Sequence, residues 1–315
     1  MQTTLTALLG IKYPILQGGM AWISEANLTA AVSNAGGAGI ISTGGRTTDW
    51  VRDEIRKTKT LTSKPFGVNV MLMAPNKEEV VDVICEEKVA FVTLGAGNPV
   101  PMFEKFHQAR IKVIPVVPSV KLAKRVEAAG ADALVIEGME AGGHIGTLTT
   151  MALLTNVIPE IKIPVIAAGG IVDGRGIAAA LLMGAAGVQM GSRFLLAEEC
   201  AVHPNAKKRI IEAQDIDSVV TGYSRNHGVR GLKNKFTEKF LKLECSGASD
   251  EELNRLATGT NKLAAVDGDV DNGLVQVGQS LSRLTTVKPA KEIIHEVINE
   301  AVRLLANAPS LAKTW

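Results

Sequence analysis

One histidine of the sequence, His144, lies in the glycine-rich stretch 141–146, AGGHIG. Imidazole titrates near neutral pH, so a histidine in such a loop can donate a hydrogen bond or a proton to a ligand oxygen. A loop histidine bonded only to backbone is the alternative. We assign no role to the other four histidines. His107 and His295 lie within helical patterns, His203 precedes a proline, and His227 lies in a basic polar loop. We therefore predict His144 as the catalytic residue.

Two further glycine-containing stretches have the composition of a phosphate site. Gly169 and Gly170 follow the apolar run VIAA, and Gly191 and Ser192 follow the run GVQM. Glycines let backbone N–H groups approach an anion closely, and the last two loops of an α/β barrel often bind phosphate together. The two stretches predict a phosphorylated ligand, and ordinary tight turns are the alternative.

Polar side chains that interrupt apolar runs are candidates for binding the rest of that ligand. Glu137 ends one run and could accept a hydroxyl hydrogen bond or pair with a cation. Asn69, Gln17 and Gln189 must be paired if buried, so a core hydrogen bond and a cofactor contact both remain open for them. No zinc-spaced ligand set, P-loop, nucleophile elbow or Cys/His pair occurs, so we predict no metal site. An organic cofactor is expected to supply the chemistry, and FMN suits this inventory.

These residues follow short apolar runs that read as strands. The runs are rich in Val and Ile, are separated by helical patterns, and do not alternate with polar residues, as is typical of parallel strands covered on both faces. The eight predicted strands are 14–17, 39–43, 66–71, 90–94, 112–117, 133–137, 164–168 and 187–191. They predict an α/β fold, a (β/α)8 TIM barrel, with its site at the carboxyl ends of the strands. The alternative, a doubly wound open sheet, lacks its GxGxxG fingerprint here.

The alternation of strands and helices stops after Gly191. Polar helical patterns without a strand pattern follow, and a long apolar-periodic helix, 290–306, ends the sequence. We expect a barrel domain over 1–202, a small helical cap over 203–273 and C-terminal helices over 274–315 that pack back on the barrel.

Composition restricts the class of protein. The chain has 315 residues, 46% of them hydrophobic, 21% charged and only 4% aromatic, with a formal net charge of +2. This balance indicates a globular enzyme and disfavours nucleic-acid binding, which uses basic and aromatic surfaces. Neither a signal peptide nor an apolar run long enough to span a membrane is recognisable. Three dispersed cysteines argue against disulfides, and we expect a cytoplasmic protein with no membrane partner.

Six ordered motifs resemble the nitronate monooxygenase superfamily of FMN barrels. Within it, the opening motif QGGMAW and the block EGME resemble most the FabK-type enoyl-acyl-carrier-protein reductases. The motifs are QGGMAW at 17–22, AVSNAGG at 31–37, PFGVN at 65–69, EAGGHIG at 140–146, AAGGI at 167–171 and GVQMGSRF at 187–194. The stretch AGGH, residues 141–144, is shared with nitronate-oxidising members, so a nitronate monooxygenase is the first alternative function. A non-catalytic barrel that binds a phosphorylated metabolite is the second.

The resemblance implies an enzyme that takes electrons from NADH or NADPH and reduces trans-2-enoyl thioesters in fatty-acid synthesis. It implies that His144 lies over the flavin near the thioester carbonyl, and that some members respond to a monovalent cation. The cofactor-binding set that we predict is Gln17, Gly18, Gly19, Met20, Ala21, Thr43, Asn69, Glu137, Gly142, Gly143, Ala168, Gly169, Gly170, Gln189, Met190, Gly191 and Ser192.

Charge is distributed unevenly along the chain. Residues 201–245 contain nine Lys and Arg against five Asp and Glu, a net +4, although the whole chain is only +2. Acyl carrier proteins are acidic, so this segment is expected to attract one, with a merely solvated helical surface as the alternative. The resemblance also implies a homodimer.

Overall fold

The computed structural model describes residues 1–312, so the last three residues of the predicted segment 274–315 lie outside the described residues. In chain order the strands are β1 Ile15–Gln17, β2 Ile40–Ser42, β3 Gly67–Met71, β4 Phe91–Gly95, β5 Lys112–Val117, β6 Leu134–Glu137, β7 Gly143–His144, β8 Val165–Ala168, β9 Gly187–Met190, β10 Ser218–Thr221 and β11 Val229–Leu232. All but β7, β10 and β11 belong to one parallel sheet, which corresponds to the eight predicted strands.

This parallel sheet closes on itself. Its strand order is β1-β9-β8-β6-β5-β4-β3-β2, and Leu16 of β1 pairs in parallel with Ala38, just before β2. The amide of Gln17 donates to the Ala38 carbonyl at 3.0 Å, which joins the first and last strands of that order. The predicted (β/α)8 barrel is therefore confirmed, and the open-sheet alternative is wrong.

Helices connect the strands and cover the outside of the barrel. The α-helices are α1 Thr4–Leu9, α2 Ala26–Asn34, α3 Thr48–Leu61, α4 Lys77–Glu87, α5 Phe103–Gln108, α6 Val120–Ala128, α7 Thr150–Val157, α8 Gly174–Leu182, α9 Ser192–Leu195, α10 Pro204–Ile211, α11 Lys235–Cys245, α12 Asp250–Ala257, α13 Thr260–Ala265 and α14 Ala290–Ala312. Short 3-10 turns lie at Val100–Met102, Ile158–Glu160, Tyr223–Arg225 and Leu281–Arg283. Within residues 1–312, every helix is too short or too polar to cross a membrane.

The barrel has two apolar layers, and strand alternation decides which side chains enter each. Leu16, Val135 and Ile166 fill the interior, where Leu5 and Leu9 of α1 close one end. Their strand neighbours face the surrounding helices instead and pack in a second, larger cluster: Ile15, Leu134, Ile136, Ala167 and Val188. Because side chains alternate along a strand, a one-residue difference in position moves a side chain from the interior to the helical layer.

The helix that completes the barrel comes from the end of the chain. Helix α14 packs against α8 and α2, which places it beside β9 as the eighth barrel helix. A Cβ added to Gly174 in α8 would lie 2.5 Å from the Ala301 amide nitrogen. The close approach of the two helices at this position therefore requires glycine. The segment 203–273 is thus inserted between the last barrel strand and its helix.

The inserted segment contains more than helices. Helices α10 to α13 occupy much of it, as predicted, but β10 and β11 form an antiparallel hairpin with Thr221 opposite Val229. The expectation that this segment has no strand is wrong. Strand β11 also pairs with β7, so that His144 lies opposite Val229. A three-stranded sheet therefore ties the cap to the loop that carries the predicted catalytic residue.

Candidate active site

A cavity of about 1020 Å³ lies at the carboxyl ends of the barrel strands, between the barrel and the cap. The position agrees with the general rule for α/β barrels, whose sites lie at this end. The predicted site residues that line it are Gly18, Gly19, Met20, Ala21, Asn69, Glu137, Gly142, Gly143, His144, Ala168, Gly169, Gly170, Gln189, Gly191 and Ser192. The carboxyl-terminal ends and following loops of β1, β6, β8 and β9, and Asn69 of β3, are thereby brought together.

Three predicted residues lie outside this cavity. Gln17 and Met190 share the helix-facing side of their strands with Ile15 and Val188, so alternation turns them away from the interior. Gln17 serves the core, because its Oε1 accepts from the Ile40 amide at 3.1 Å and its Nε2 donates to Ser24 Oγ at 2.9 Å.

Thr43, the third of these residues, is buried beside β3. Its hydroxyl donates to the Asn69 carbonyl at 2.9 Å and so fixes the strand that carries Asn69. Thr43 therefore lies next to Asn69, which lines the cavity, but does not line the cavity itself.

The two glycine loops offer free backbone donors to the cavity. No residue within 1–312 accepts a hydrogen bond from the amides of Gly170, Gly191 or Ser192. The carbonyls of the same region are occupied instead, since Thr150 Oγ1 donates to Gly169 O at 2.9 Å and Ser280 Oγ donates to Gly170 O at 2.7 Å. A patch of unpaired N–H groups beside satisfied carbonyls favours an anion.

Gly191 leaves open space at this patch. Its φ of −103° is accessible to any residue, so the backbone alone does not require glycine. A Cβ added here would meet nothing nearer than Met20 Sδ at 3.9 Å, and would therefore project into the cavity. The missing side chain leaves room in the cavity beside the free amides of Gly191 and Ser192.

The segment 276–280 returns from the cap to the two glycine loops, and sequence reasoning did not select it. Gln276, Gly278 and Ser280 line the cavity, and the Gly278 amide donates to Ser192 Oγ at 2.8 Å. The Ser192 hydroxyl accepts this bond and keeps its own proton available for a ligand. Only the short polar run GQS marked the segment in the sequence, which is a weak signal.

Two polar side chains in the cavity lack protein partners. The Oε1 of Gln189 is buried without a hydrogen bond, although buried polar atoms are almost always paired. Within residues 1–312, the Glu137 carboxylate has no hydrogen bond or ion pair either, and burial raises the pKa of Glu137 to about 7. A bound molecule with hydroxyl or N–H donors would supply the hydrogen bonds that both groups lack.

Asn69 serves both the core and the cavity. Its Nδ2 donates to Thr93 Oγ1 at 2.9 Å, while its side chain also lines the cavity beside Gly19. A Cβ on Gly19 would lie 2.5 Å from Asn69 Cβ, so the first loop can pass this side chain only as glycine. The core hydrogen bond and a ligand contact, which the sequence left as alternatives, are compatible.

His144 lies on β7 with its side chain exposed to the cavity. The amide of Ile145 donates to the Gly228 carbonyl at 3.0 Å, which holds the loop against the cap hairpin. Partial burial and then the neighbouring imidazole of His227 lower the pKa of His144. At neutral pH the ring is therefore mainly uncharged and can donate one hydrogen bond.

We expect Glu137→Gln to remove a pH dependence of stability from the flavin-free protein. Since the folded state raises the pKa of Glu137 from 4.5 to about 7, folding binds a proton in that window and stability falls as pH rises through it. The free energy of unfolding of the variant, relative to the parent, should increase by at most about 3 kcal/mol between pH 4.5 and 8.

Urea unfolding at several pH values measures this difference. Glu251→Gln, at an exposed position of α12, is the matched control and should leave the pH dependence as in the parent. Parallel curves for the parent and Glu137→Gln would show that Glu137 is not a buried, unpaired carboxyl.

Together these groups fit a phosphorylated, hydroxyl-bearing cofactor such as FMN. Free amides at Gly170, Gly191 and Ser192 suit a phosphate, and Gln189 and Glu137 lack the partners that hydroxyl and ring N–H groups would provide. Within residues 1–312, no cluster of His, Cys, Asp and Glu with metal-binding geometry is found.

The chain is similar to a solved structure over nearly all of its length. The structure of FabK from Thermotoga maritima superposes with a TM-score of 0.96 and 44% sequence identity, and the match covers 99% of both chains. Such identity over the full length extends to the cap as well as to the barrel.

Two further relatives carry names that differ from that of the solved structure. A (3aS,4S,5R,7aS)-5-hydroxy-7a-methyl-1-oxo-octahydro-1H-indene-4-carboxyl-CoA dehydrogenase from Rhodococcus jostii is 33% identical, with 96% of each chain covered. A probable nitronate monooxygenase from Staphylococcus aureus is 34% identical, covering 96% of this chain and 98% of the relative. All of these names describe oxidoreductases.

A family profile accounts for the barrel and the cap alike. The profile of the nitronate monooxygenase family matches residues 2–82 and 76–300, which include both glycine loops and His144. With the full-length relatives at more than 30% identity, this match identifies an oxidoreductase, and the chain belongs to the nitronate monooxygenase family.

Proposed function

We propose that the protein is an FMN-dependent enoyl-[acyl-carrier-protein] reductase that uses NADH or NADPH. The observation that carries the proposal is the 44% identity to FabK over 99% of both chains, with the cavity residues in place. The CoA thioester named for the Rhodococcus relative further supports thioester chemistry in such a cavity.

The chain's own residues would hold FMN by its two ends. The amides of Gly170, Gly191 and Ser192 would bind the phosphate, and charge-assisted hydrogen bonds of this kind are the strong ones. Glu137 and Gln189 would accept hydrogen bonds from its hydroxyl or ring N–H groups, and Met20 and Ala21 would line the ring. When bound, FMN supplies the two-electron transfer that reduces the β-carbon of a trans-2-enoyl thioester.

His144 would act on the substrate oxygen. Negative charge develops on a thioester carbonyl when its conjugated double bond is reduced, and a preorganised donor stabilises that charge. The mainly uncharged imidazole, set in a cavity partly shielded from water, keeps one ring N–H that can donate this bond. The pairing of β7 with β11 fixes the ring's position.

A nitronate monooxygenase is the second candidate, favoured by the family profile and the Staphylococcus relative. It would use the same cavity, with His144 as base or anion holder and oxygen as the electron acceptor. A barrel that only binds a phosphorylated metabolite would instead be colourless when purified.

Stopped-flow spectroscopy under anaerobic conditions separates these functions. We expect the yellow protein to lose its flavin absorbance rapidly with NADH or NADPH, and to regain it when an enoyl thioester is added in a second mixing step. Absorbance that persists with both nicotinamides, together with turnover of an alkyl nitronate in air, would contradict the reductase and favour the alternative.

The proposed carrier-protein partner concerns the basic cap segment 201–245. Lys208 and Lys235 have highly exposed side chains there, although Lys235 also pairs with Asp271 at 2.8 Å. Arg230 is buried and donates to the Met139 carbonyl at 3.0 Å, so it contributes to the local charge without being available for contact.

Reversing charge at Lys233 and Lys235 tests this partner. We expect Lys233→Glu with Lys235→Glu to raise the Michaelis constant for a carrier-linked enoyl substrate by roughly threefold to tenfold at low salt, because steering by surface charge is lost. High salt should reduce the difference. The short thioester crotonyl-CoA is the control substrate, and equal effects on both substrates would discard this docking surface.

A further inference from the structure

A second imidazole, that of His227, lines the same cavity as His144. It follows the 3-10 turn Tyr223–Arg225 and precedes β11, and its side chain is exposed to the cavity. Within the described residues, its ring has no hydrogen-bond partner. Its position in a basic polar loop gave no reason to select it from the sequence.

Strand register explains why the two imidazoles share a wall of the cavity. His144 of β7 pairs with Val229 of β11, which in turn pairs with Thr221 of β10. These three residues all line the cavity, so one face of the small sheet forms its wall.

His227 belongs to this same face. It lies two residues before Val229, just ahead of β11, and lines the same cavity as Val229. The bond from the Ile145 amide to the Gly228 carbonyl, at 3.0 Å, continues the register past β7. By this register His227 is the diagonal neighbour of His144, and residues of such pairs lie about 7–8 Å apart, within reach of large side chains.

Other charged groups at this wall are already engaged. Arg225 contacts Asp250 at 3.4 Å and donates to the Ala248 carbonyl, and Glu244 accepts from the amides of Gly222 and Ser224. Arg230 lies on the opposite face, bonded to Met139. The two imidazoles are therefore the uncommitted proton donors of this face.

Reduction of an enoyl thioester needs two acidic groups at different atoms. One must donate a hydrogen bond to the carbonyl oxygen as charge develops there, and another must deliver a proton to the α-carbon. A single imidazole that holds the oxygen is poorly placed to protonate carbon at the same time, so a second donor beside the α-carbon would assist the reaction.

We propose that His227 is a second catalytic residue, which donates the proton to the α-carbon while His144 holds the carbonyl oxygen. The inference rests on the proposed reductase function. A hydride, supplied by NADH or NADPH through bound flavin, forms the C–H bond at the β-carbon, and the π electrons move to the α-carbon. An N–H bond of the His227 ring breaks as the new α C–H bond forms, and water returns the proton to the exposed ring.

The activity test uses the flavin-loaded variants His227→Gln and His227→Asn. We expect kcat with crotonyl-CoA to fall by about tenfold to a hundredfold, the low side of general acid catalysis, while flavin reduction by NAD(P)H stays as in the parent. His107→Gln, at a surface histidine bonded to Asp132, is the matched control and should retain full turnover. Parent-like turnover in both His227 variants would overturn the inference.

A second readout does not depend on turnover. In flavin-free protein, NMR titration of the His144 ring should give a higher pKa in His227→Gln than in the parent, because the neighbouring ring that lowers the pKa of His144 has been removed. An unchanged His144 titration would contradict the pairing of the two rings.

Failure of the inference is distinguishable from failure of the proposed function. If the reduced parent protein is not reoxidised by any enoyl thioester, the reductase function fails, and the role of His227 fails with it. If the parent is reoxidised and both His227 variants match it, only the role of His227 fails.

Discussion

Replacing His144 with alanine is expected to leave FMN bound and to lower kcat with crotonyl-CoA by at least about tenfold, as loss of a positioned acid–base group typically does. The imidazole projects into the cavity from the cap-side wall, whereas the groups assigned to the cofactor lie at the barrel loops. Removing the ring should therefore affect the substrate oxygen and spare the cofactor.

The ratio of bound flavin to protein, measured from absorbance, and steady-state kinetics check both parts of this expectation. His107→Ala, which removes an imidazole from the outer surface of the barrel, is the matched control. Unchanged turnover in His144→Ala would refute the catalytic role of His144. Loss of flavin from this variant would indicate that His144 binds the cofactor.

Adding one methyl group at Gly191 is expected to weaken FMN binding strongly. The backbone there tolerates a side chain, and the new Cβ projects into the space beside the free amides of Gly191 and Ser192. A phosphate displaced from one or two such amides loses about 1.5–3 kcal/mol for each charge-assisted bond, so we expect the Kd to rise by about tenfold to more than a hundredfold.

Gly95→Ala provides the matched control for this change. Gly95 also lines the cavity, and a Cβ added there meets no atom within 4 Å, so the same methyl group is added away from the phosphate loops. Fluorescence titration of flavin-free protein with FMN compares the two variants. Equal affinities would place the phosphate elsewhere.

The barrel was predictable because its strands carry a strong local signal. Each predicted apolar run overlaps an observed strand, and no boundary differs by more than one residue, as 39–43 compares with Ile40–Ser42. The start of α8 also has a local signal, since Asp173 caps it by accepting from the Arg175 amide at 3.1 Å. Short-range chemistry of this kind is visible in sequence.

Which polar side chains face the cavity was harder to predict. Gln17 and Gln189 are alike in the sequence, each a glutamine in an apolar strand, but only Gln189 lies on the inward side. Continuously apolar strands hide the inside-outside alternation, because both faces are buried. The paired neighbours, Ile15 in the helical layer and Leu16 in the interior, become distinguishable only in the fold.

Long-range contacts account for the remaining omissions. The segment 276–280 reaches the phosphate loops across more than eighty residues of chain, through the bond from Gly278 to Ser192. His227 enters the cavity through the pairing of β7 with β11, two short strands with no distinctive pattern. A two-residue strand such as β7 exists because its partner is present, and local propensity does not reveal it.

The central claim, that the two glycine loops bind the phosphate of FMN, is tested most directly by a crystal structure of the protein with FMN. The account predicts phosphate oxygens within hydrogen-bond distance of the amides of Gly170, Gly191 and Ser192, with the flavin ring in the cavity that His144 lines. Flavin bound elsewhere, or a cavity filled by side chains in the presence of FMN, would contradict it.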